Sequence, residues 1–83
     1  VSADDDPKVA ALAALRQGNA LLDTGDAVGA LAKYEHAMAL YPSPKLHFNI
    51  GEALLAIPGR EGAAHESFTR FLALAKDANA DVK

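Results

Sequence analysis

Apolar residues recur along this chain at the three- and four-residue spacing of an amphipathic helix, in four separate stretches. The first runs from Lys8 to Leu22, the third from Leu46 to Ile57, and the fourth from about Arg60 to Ala78. No stretch alternates polar and apolar residues over the length of a strand. We therefore predict an all-α fold of four helices joined by short turns. The second stretch carries the apolar residues Ala27, Ala30, Leu31, Tyr34, Ala37, Met38 and Tyr41.

Helix-capping residues stand at the predicted helix ends. Asp6-Pro7 is typical of a helix start, because aspartate caps a free backbone N–H and proline suits the first helical position. Asp23 to Asp26 consists of turn formers, and Asp26 can cap the second helix. Pro58-Gly59 ends the third. These signals place the boundaries of the first, second and third helices.

The connection between the second and third helices is very short. Tyr41 to Pro44 contains two prolines, and a helix that reaches Tyr41 must stop there because Pro42 lacks a backbone N–H. Ser43 can cap a new helix whose first residue is Pro44. We predict that this junction fixes the angle between the two halves of the chain.

The two halves repeat one pattern of residues. Gly18 to Leu22 recurs as Gly51 to Leu55, at an offset of 33 positions. In the second helix of each half the offset is 34 positions. The corresponding residues there are Ala30 and Ala64, Tyr34 and Phe68, and Ala37 and Phe71.

This pattern resembles the tetratricopeptide repeat (TPR) family, whose unit is a helix–turn–helix of about 34 residues. The second copy departs from the family at Phe71, where a small residue is usual, and it lacks a closing proline near Ala75. The first copy matches at Gly18, Leu21, Ala30, Tyr34, Ala37 and Pro42, and the second at Ile50, Gly51, Leu54, Ala64 and Phe68.

The resemblance implies two tandem TPR units, whose four antiparallel helices form a short right-handed α-solenoid. The first repeat would cover residues 7–42 and the second residues 43–78. Residues 1–6 would form a disordered or capping N-terminal segment, and residues 79–83 a frayed C-terminus.

In the family, the first helix of each repeat lines a concave groove that binds an extended peptide or a partner protein. Asn19 and Asn49 stand where chaperone-tail-binding TPRs place two asparagines of a carboxylate clamp, but Leu15 replaces the first lysine of that clamp. Both a C-terminal carboxylate clamp and a less specific polar groove are therefore open. The residues that the resemblance places on the groove are Leu12, Arg16, Asn19, Asp23, Lys45, Phe48, Asn49 and Glu52.

Composition argues against other classes of function. The net charge is −3 without a basic cluster, which disfavours nucleic-acid binding, and no apolar run has the length of a membrane span. The chain has no cysteine, and His36, His47 and His65 lack the spacing of helical metal sites. No serine lies in a nucleophile motif. We expect no metal, no cofactor and no catalysis.

The sequence therefore predicts a non-catalytic protein–protein interaction module. The alternative is a structural unit that self-associates, for example through the C-terminal helix, or belongs to a longer repeat array, because two repeats are fewer than the three or so usually required for stability. The short acidic N-terminus is compatible with a cleaved signal peptide or with a cloning boundary. The junction also resembles TPR segments of bacterial cell-envelope proteins, which favours an exported bacterial protein.

Overall fold

The structure, a computed structural model, describes residues 6–81, with side chains described up to residue 76. This part of the chain contains four α-helices and no strand, which confirms the prediction of an all-α chain. Residues 1–5 of the predicted N-terminal segment lie outside the described residues, and the predicted C-terminal segment 79–83 overlaps the end of the fourth helix. The helices are α1 (Pro7–Asp23), α2 (Ala27–Leu40), α3 (Pro44–Leu55) and α4 (Glu61–Asp81).

The predicted capping residues begin the first three helices. The Asp6 carboxylate accepts a hydrogen bond of 2.9 Å from the backbone N–H of Lys8. The Asp26 carboxylate accepts one of 2.8 Å from the backbone N–H of Gly29. The Ser43 hydroxyl accepts a longer one, of 3.4 Å, from the N–H three residues on. Each cap satisfies a donor that the first turn of a helix leaves free.

The helices pack as two pairs. α1 lies along α2, α3 lies along α4, and α2 and α3 join the two pairs. Seven of the ten buried hydrophobic residues in the described part of the chain are alanines, whose small side chains let the helix backbones approach closely. Two clusters form the core, and both contain residues of α2 and α3. The first consists of Ala11, Ala14, Ala37 and Leu46, and the second of Ala30, Tyr34 and Ala53.

The same glycine–ring contact holds each pair together. A Cβ atom placed on Gly18 would lie 2.5 Å from Cε1 of Tyr34, and one placed on Gly51 would lie 2.5 Å from Cε1 of Phe68. Only glycine lets the ring of the second helix lie this close to the first helix. The repetition in the sequence is therefore matched by a repeated contact in space.

The junction between the pairs is three residues long. α2 ends at Leu40 and α3 begins at Pro44, so only Tyr41 to Ser43 connect them. Leu46 lies just after the junction and is 3% exposed. It packs in the cluster of Ala11 and Ala14 from α1 and Ala37 from α2. The burial of this side chain anchors the start of α3 against the first pair, since a fully buried leucine contributes about 1.5–3 kcal/mol.

Candidate binding groove

A small apolar pocket opens between α1 and the start of α3. Its volume is about 200 Å³. That is below the range of about 300–1,000 Å³ that is usual for small-molecule sites, and it suits apolar side chains of a peptide. Leu12, which is 45% exposed, contributes to its wall. The lining residues are Lys8, Ala11, Leu12, Leu15, Tyr41, Ser43 and Leu46.

A polar cluster lies about one helical turn further along the same two helices, because Asn19 follows Leu15 by four residues and Asn49 follows Leu46 by three. The hydroxyl of Tyr34, from α2, donates a hydrogen bond of 2.6 Å to Oδ1 of Asn19. Asn49 is near enough to this hydroxyl to lower its pKa, so both asparagines of the predicted site lie beside a tyrosine from a third helix.

The carbonyl oxygen of Asn49 is an unused acceptor. The Asn49 side chain is only 6% exposed, and among the described residues its Oδ1 has no hydrogen-bond partner. A buried polar atom without a partner costs about 1–3 kcal/mol. Because this oxygen is closed to solvent, an N–H donor from a ligand removes that cost only if the Asn49 side chain turns outwards.

The Tyr34 hydroxyl stays protonated at neutral pH. Burial raises its pKa above the ordinary value of 10.0, and the Asn49 amide, which can donate to the phenolate oxygen, lowers it in part. The carboxylates of Glu52 and then Asp23 raise this pKa further by repelling the phenolate charge. Tyr34 is therefore a fixed neutral donor, and its hydrogen bond holds the Asn19 oxygen in place.

The structure brings five of the predicted groove residues to this region. Leu12 lines the pocket. The other four either accept a hydrogen bond from the Tyr34 hydroxyl or change its pKa. These four are Asn19, Asn49, Asp23 and Glu52.

The other three predicted residues lie elsewhere or make no described contact in the groove. Phe48 packs against the rings of Phe68 and Phe71, with centroid separations of 5.5 Å and 5.3 Å. The Lys45 ammonium stands 4.9 Å above the Phe48 ring, within the range of a cation–π interaction. Arg16 is exposed. Phe48 thus belongs to the contact between α3 and α4, and Lys45 lies over the Phe48 ring on the surface of α3.

Sequence reasoning missed the role of Tyr34 in the site. The sequence analysis placed Tyr34 only in the repeat pattern, whereas its hydroxyl donates a hydrogen bond to Asn19. A signal was present, because a buried tyrosine usually has a partner for its hydroxyl, and the corresponding residue in the second pair is Phe68. The roles of Lys8, Tyr41 and Ser43 in the pocket were missed as well.

Metal binding and membrane insertion find no support in residues 6–76. No group of three or more histidine, cysteine, aspartate or glutamate side chains is placed there to hold a metal ion. Within the described part of the chain, every helix is too short or too polar to cross a bilayer.

Comparison of the chain with protein-family models, with curated proteins and with solved structures found no match in any of the three. The groove therefore has to be interpreted from its own residues.

Proposed function

We propose that this chain is a TPR-type interaction module that binds an extended peptide or a partner protein and performs no reaction. In this proposal the two helix pairs are two TPR units stacked as a short right-handed solenoid, and the groove between α1 and α3 is the binding surface. The repeated contact of Gly18 with Tyr34 and of Gly51 with Phe68 supports the assignment of two equivalent units.

The observation that carries the proposal is the apolar pocket, together with the unused Oδ1 of Asn49 about one helical turn away, which an outward turn of that side chain would expose to a peptide. An extended peptide advances about 3.3 Å per residue and offers a backbone N–H at each residue except proline. A helical turn rises about 5.4 Å, which corresponds to about two residues of such a peptide. A peptide with an apolar side chain in the pocket would therefore bring the N–H of a residue about two positions away to Asn49. The ligand class is a peptide with a leucine-like anchor.

Lys8 adds a charge preference to this class. Its side chain lines the pocket and is exposed to solvent. An acidic residue of the peptide beside the apolar anchor would pair with the ammonium, although an exposed pair adds only about 0–1 kcal/mol. The anchor therefore dominates affinity, and the acidic residue adjusts it.

The test begins with selection of peptides from a random display library on the immobilised chain. The selected peptide is then titrated against Leu12→Glu, which puts a charge at the pocket, and against Asn49→Ala, which removes the acceptor. Val28→Glu is the matched control, because Val28 is a 67% exposed aliphatic residue on α2 that does not line the pocket. We expect each groove variant to weaken binding by about 10-fold or more, with Val28→Glu unchanged.

Two results would count against the groove. One is a selected peptide that binds Leu12→Glu and Asn49→Ala as tightly as the unaltered chain, with helix content preserved in circular dichroism. The other is an equal loss in Val28→Glu, which would indicate non-specific charge effects. An amidated form of the peptide separates the two kinds of groove, because a carboxylate clamp would lose binding when the terminal carboxylate is removed.

Self-association is the second candidate function, and it draws on another surface. Leu55 is 58% exposed and Leu72 is 64% exposed, at the end of the fold away from α1. Light scattering at several concentrations distinguishes the two functions. A dimer whose mass is unaffected by Leu12→Glu favours assembly, and a monomer at all concentrations favours the groove.

A further inference from the structure

An apolar hollow lies on the α3–α4 pair, on a different surface from the groove. Its volume is about 260 Å³, and we call it the aromatic hollow. Phe48 stands at its centre, since its ring contacts those of two α4 residues. The lining residues are Phe48, Phe68, Phe71 and Leu72, all of them apolar.

The corresponding surface of the first pair is occupied. With the offsets of 33 positions from α1 to α3 and 34 from α2 to α4, each lining residue has a counterpart in the first pair. In the first pair α3 covers these counterparts, with Leu46 and Ile50 packed among them. The counterparts of Phe48, Phe68, Phe71 and Leu72 are Leu15, Tyr34, Ala37 and Met38.

The fold therefore contains an example of what covers such a surface. In the first pair the covering helix is α3. It inserts two aliphatic side chains four residues apart, Leu46 and Ile50. A further helix that packed on α4 as α3 packs on α2 would cover the aromatic hollow.

The chemistry of the hollow differs from that of its counterpart in one respect. Phe68 has no hydroxyl, and Glu52 stands in the position equivalent to Asn19. The hydrogen bond between Tyr34 and Asn19, and the amide of Asn49 beside it, thus have no equivalent here. An occupant needs aliphatic side chains like those of α3 but no asparagine.

A second copy of this chain stacked head to tail fits the hollow poorly. Such stacking would place its α1 where α3 lies in the first pair. The α1 counterparts of Leu46 and Ile50 are Ala13 and Gln17, and both are exposed. A methyl group and a polar amide fill little of a 260 Å³ apolar hollow, and the amide would lose its hydration.

We propose that the aromatic hollow docks an amphipathic helix of a partner protein, which inserts a leucine-like and an isoleucine-like side chain four residues apart, in the manner of α3 on the first pair. This surface is separate from the groove, and the inference does not depend on peptide binding there.

The experiment gives α1 the missing side chains. The donor chain carries Ala13→Leu and Gln17→Ile, which copy the pattern of Leu46 and Ile50, and Leu72→Glu, which blocks its own hollow. The receptor is the unaltered chain of 8.6 kDa, whose hollow is open. The control donor carries Ala39→Leu and Glu35→Ile, two exposed positions four residues apart on α2, together with Leu72→Glu.

We expect donor and receptor to sediment as monomers alone and as a 1:1 complex when mixed. Two aliphatic side chains newly buried should raise the association constant by about 100-fold or more over the control donor. Phe71→Ala in the receptor should lower it again, because the ring forms part of the wall.

Three results would overturn the inference. The first is a mixture that stays monomeric up to about 1 mM while both chains keep their helix content. The second is a control donor that binds equally well. The third is a receptor that dimerises alone and loses the dimer with Leu72→Glu, since a second copy would then be the occupant. If the donor does not fold, the acetylated and amidated peptide of residues 43–56 replaces it, and the absence of NMR shifts at Phe71 and Leu72 of the receptor overturns the inference.

Discussion

Replacing Gly18 by alanine tests the contact that holds α1 to α2. The added Cβ would lie 2.5 Å from Cε1 and 2.7 Å from Cδ1 of Tyr34. The ring has little freedom to move aside, because Tyr34 is 0% exposed and its hydroxyl is bonded to Asn19. The variant must therefore separate the helices or displace the ring together with its hydrogen bond.

The size of the effect follows from two opposing terms. Overpacking a well-filled core costs about 1–3 kcal/mol, and exchanging glycine for alanine inside a helix gains about 0.5–1 kcal/mol. Together the two terms allow a net loss of about 0–2.5 kcal/mol in the free energy of unfolding. Because a Cβ atom cannot stay 2.5 Å from the ring, something must shift, and we expect a loss of about 1–2 kcal/mol. For a domain of this size, such a loss lowers the Tm by about 5–15 °C.

Two further glycines provide matched controls. Gly51→Ala creates the same 2.5 Å contact, with Cε1 of Phe68, but that ring is only partly buried and borders the aromatic hollow, so it has room to shift. Gly62→Ala in α4 meets no atom within 4 Å and should leave stability equal or slightly higher. Urea and thermal unfolding followed by circular dichroism measure all three. A Gly18→Ala chain as stable as the unaltered one, or a greater loss in Gly51→Ala, would refute the reasoning.

Three further perturbations test the polar cluster and the junction. Tyr34→Phe removes the donor to Asn19 and should cost about 0.5–1.5 kcal/mol in urea unfolding; an unchanged midpoint would contradict the hydrogen bond. In Tyr41→Phe, where Tyr34 is the only tyrosine, ultraviolet titration should give a pKa above 10.0, mainly because of burial. Because this pKa is raised in the folded state, the neutral Tyr34 hydroxyl contributes its full stability below pH 10.0, and this contribution is lost as the pH rises through the folded pKa. A measured pKa equal to or below 10.0 would show that the hydroxyl is hydrated. Replacing both Pro42 and Pro44 by alanine should lower the free energy of unfolding by about 0.4–1 kcal/mol per proline, with helix content retained. A large loss of helix content in circular dichroism would contradict that expectation.

The helices and their caps could be predicted from the sequence because they depend on neighbouring residues. Asp6, Asp26 and Ser43 each bond a backbone N–H only two or three positions away. The start of α3 at Pro44 follows from the ring and missing N–H of proline. Such interactions are contained in short segments, so a residue pattern identifies them.

The contacts between helices could be predicted only in part. Helical periodicity says which residues share a face, but not which neighbouring helix that face meets. Phe48 illustrates the difference, since its position in α3 is compatible with the groove and with α4, and the structure packs it on Phe68 and Phe71. Asn49 looked like an exposed groove residue, yet its side chain is buried where three helices converge. Rotamers and interhelical angles decide both outcomes.

The energetics of a small chain give the Asn49 oxygen its significance. Native proteins are stable by about 0.05–0.15 kcal/mol per residue, so a chain of 83 residues has about 4–12 kcal/mol in total. A buried acceptor without a partner costs about 1–3 kcal/mol, which is a large part of that stability. The Asn49 amide lies near the Tyr34 hydroxyl and lowers its pKa in part, but the Asn49 oxygen has no hydrogen-bond partner among the described residues. A peptide N–H that meets this oxygen once the Asn49 side chain turns outwards recovers the cost. Because the peptide binds only the folded chain, it also shifts the unfolding equilibrium towards the native state. The proposed groove thus accounts for a polar atom that the packing of the four helices leaves unexplained.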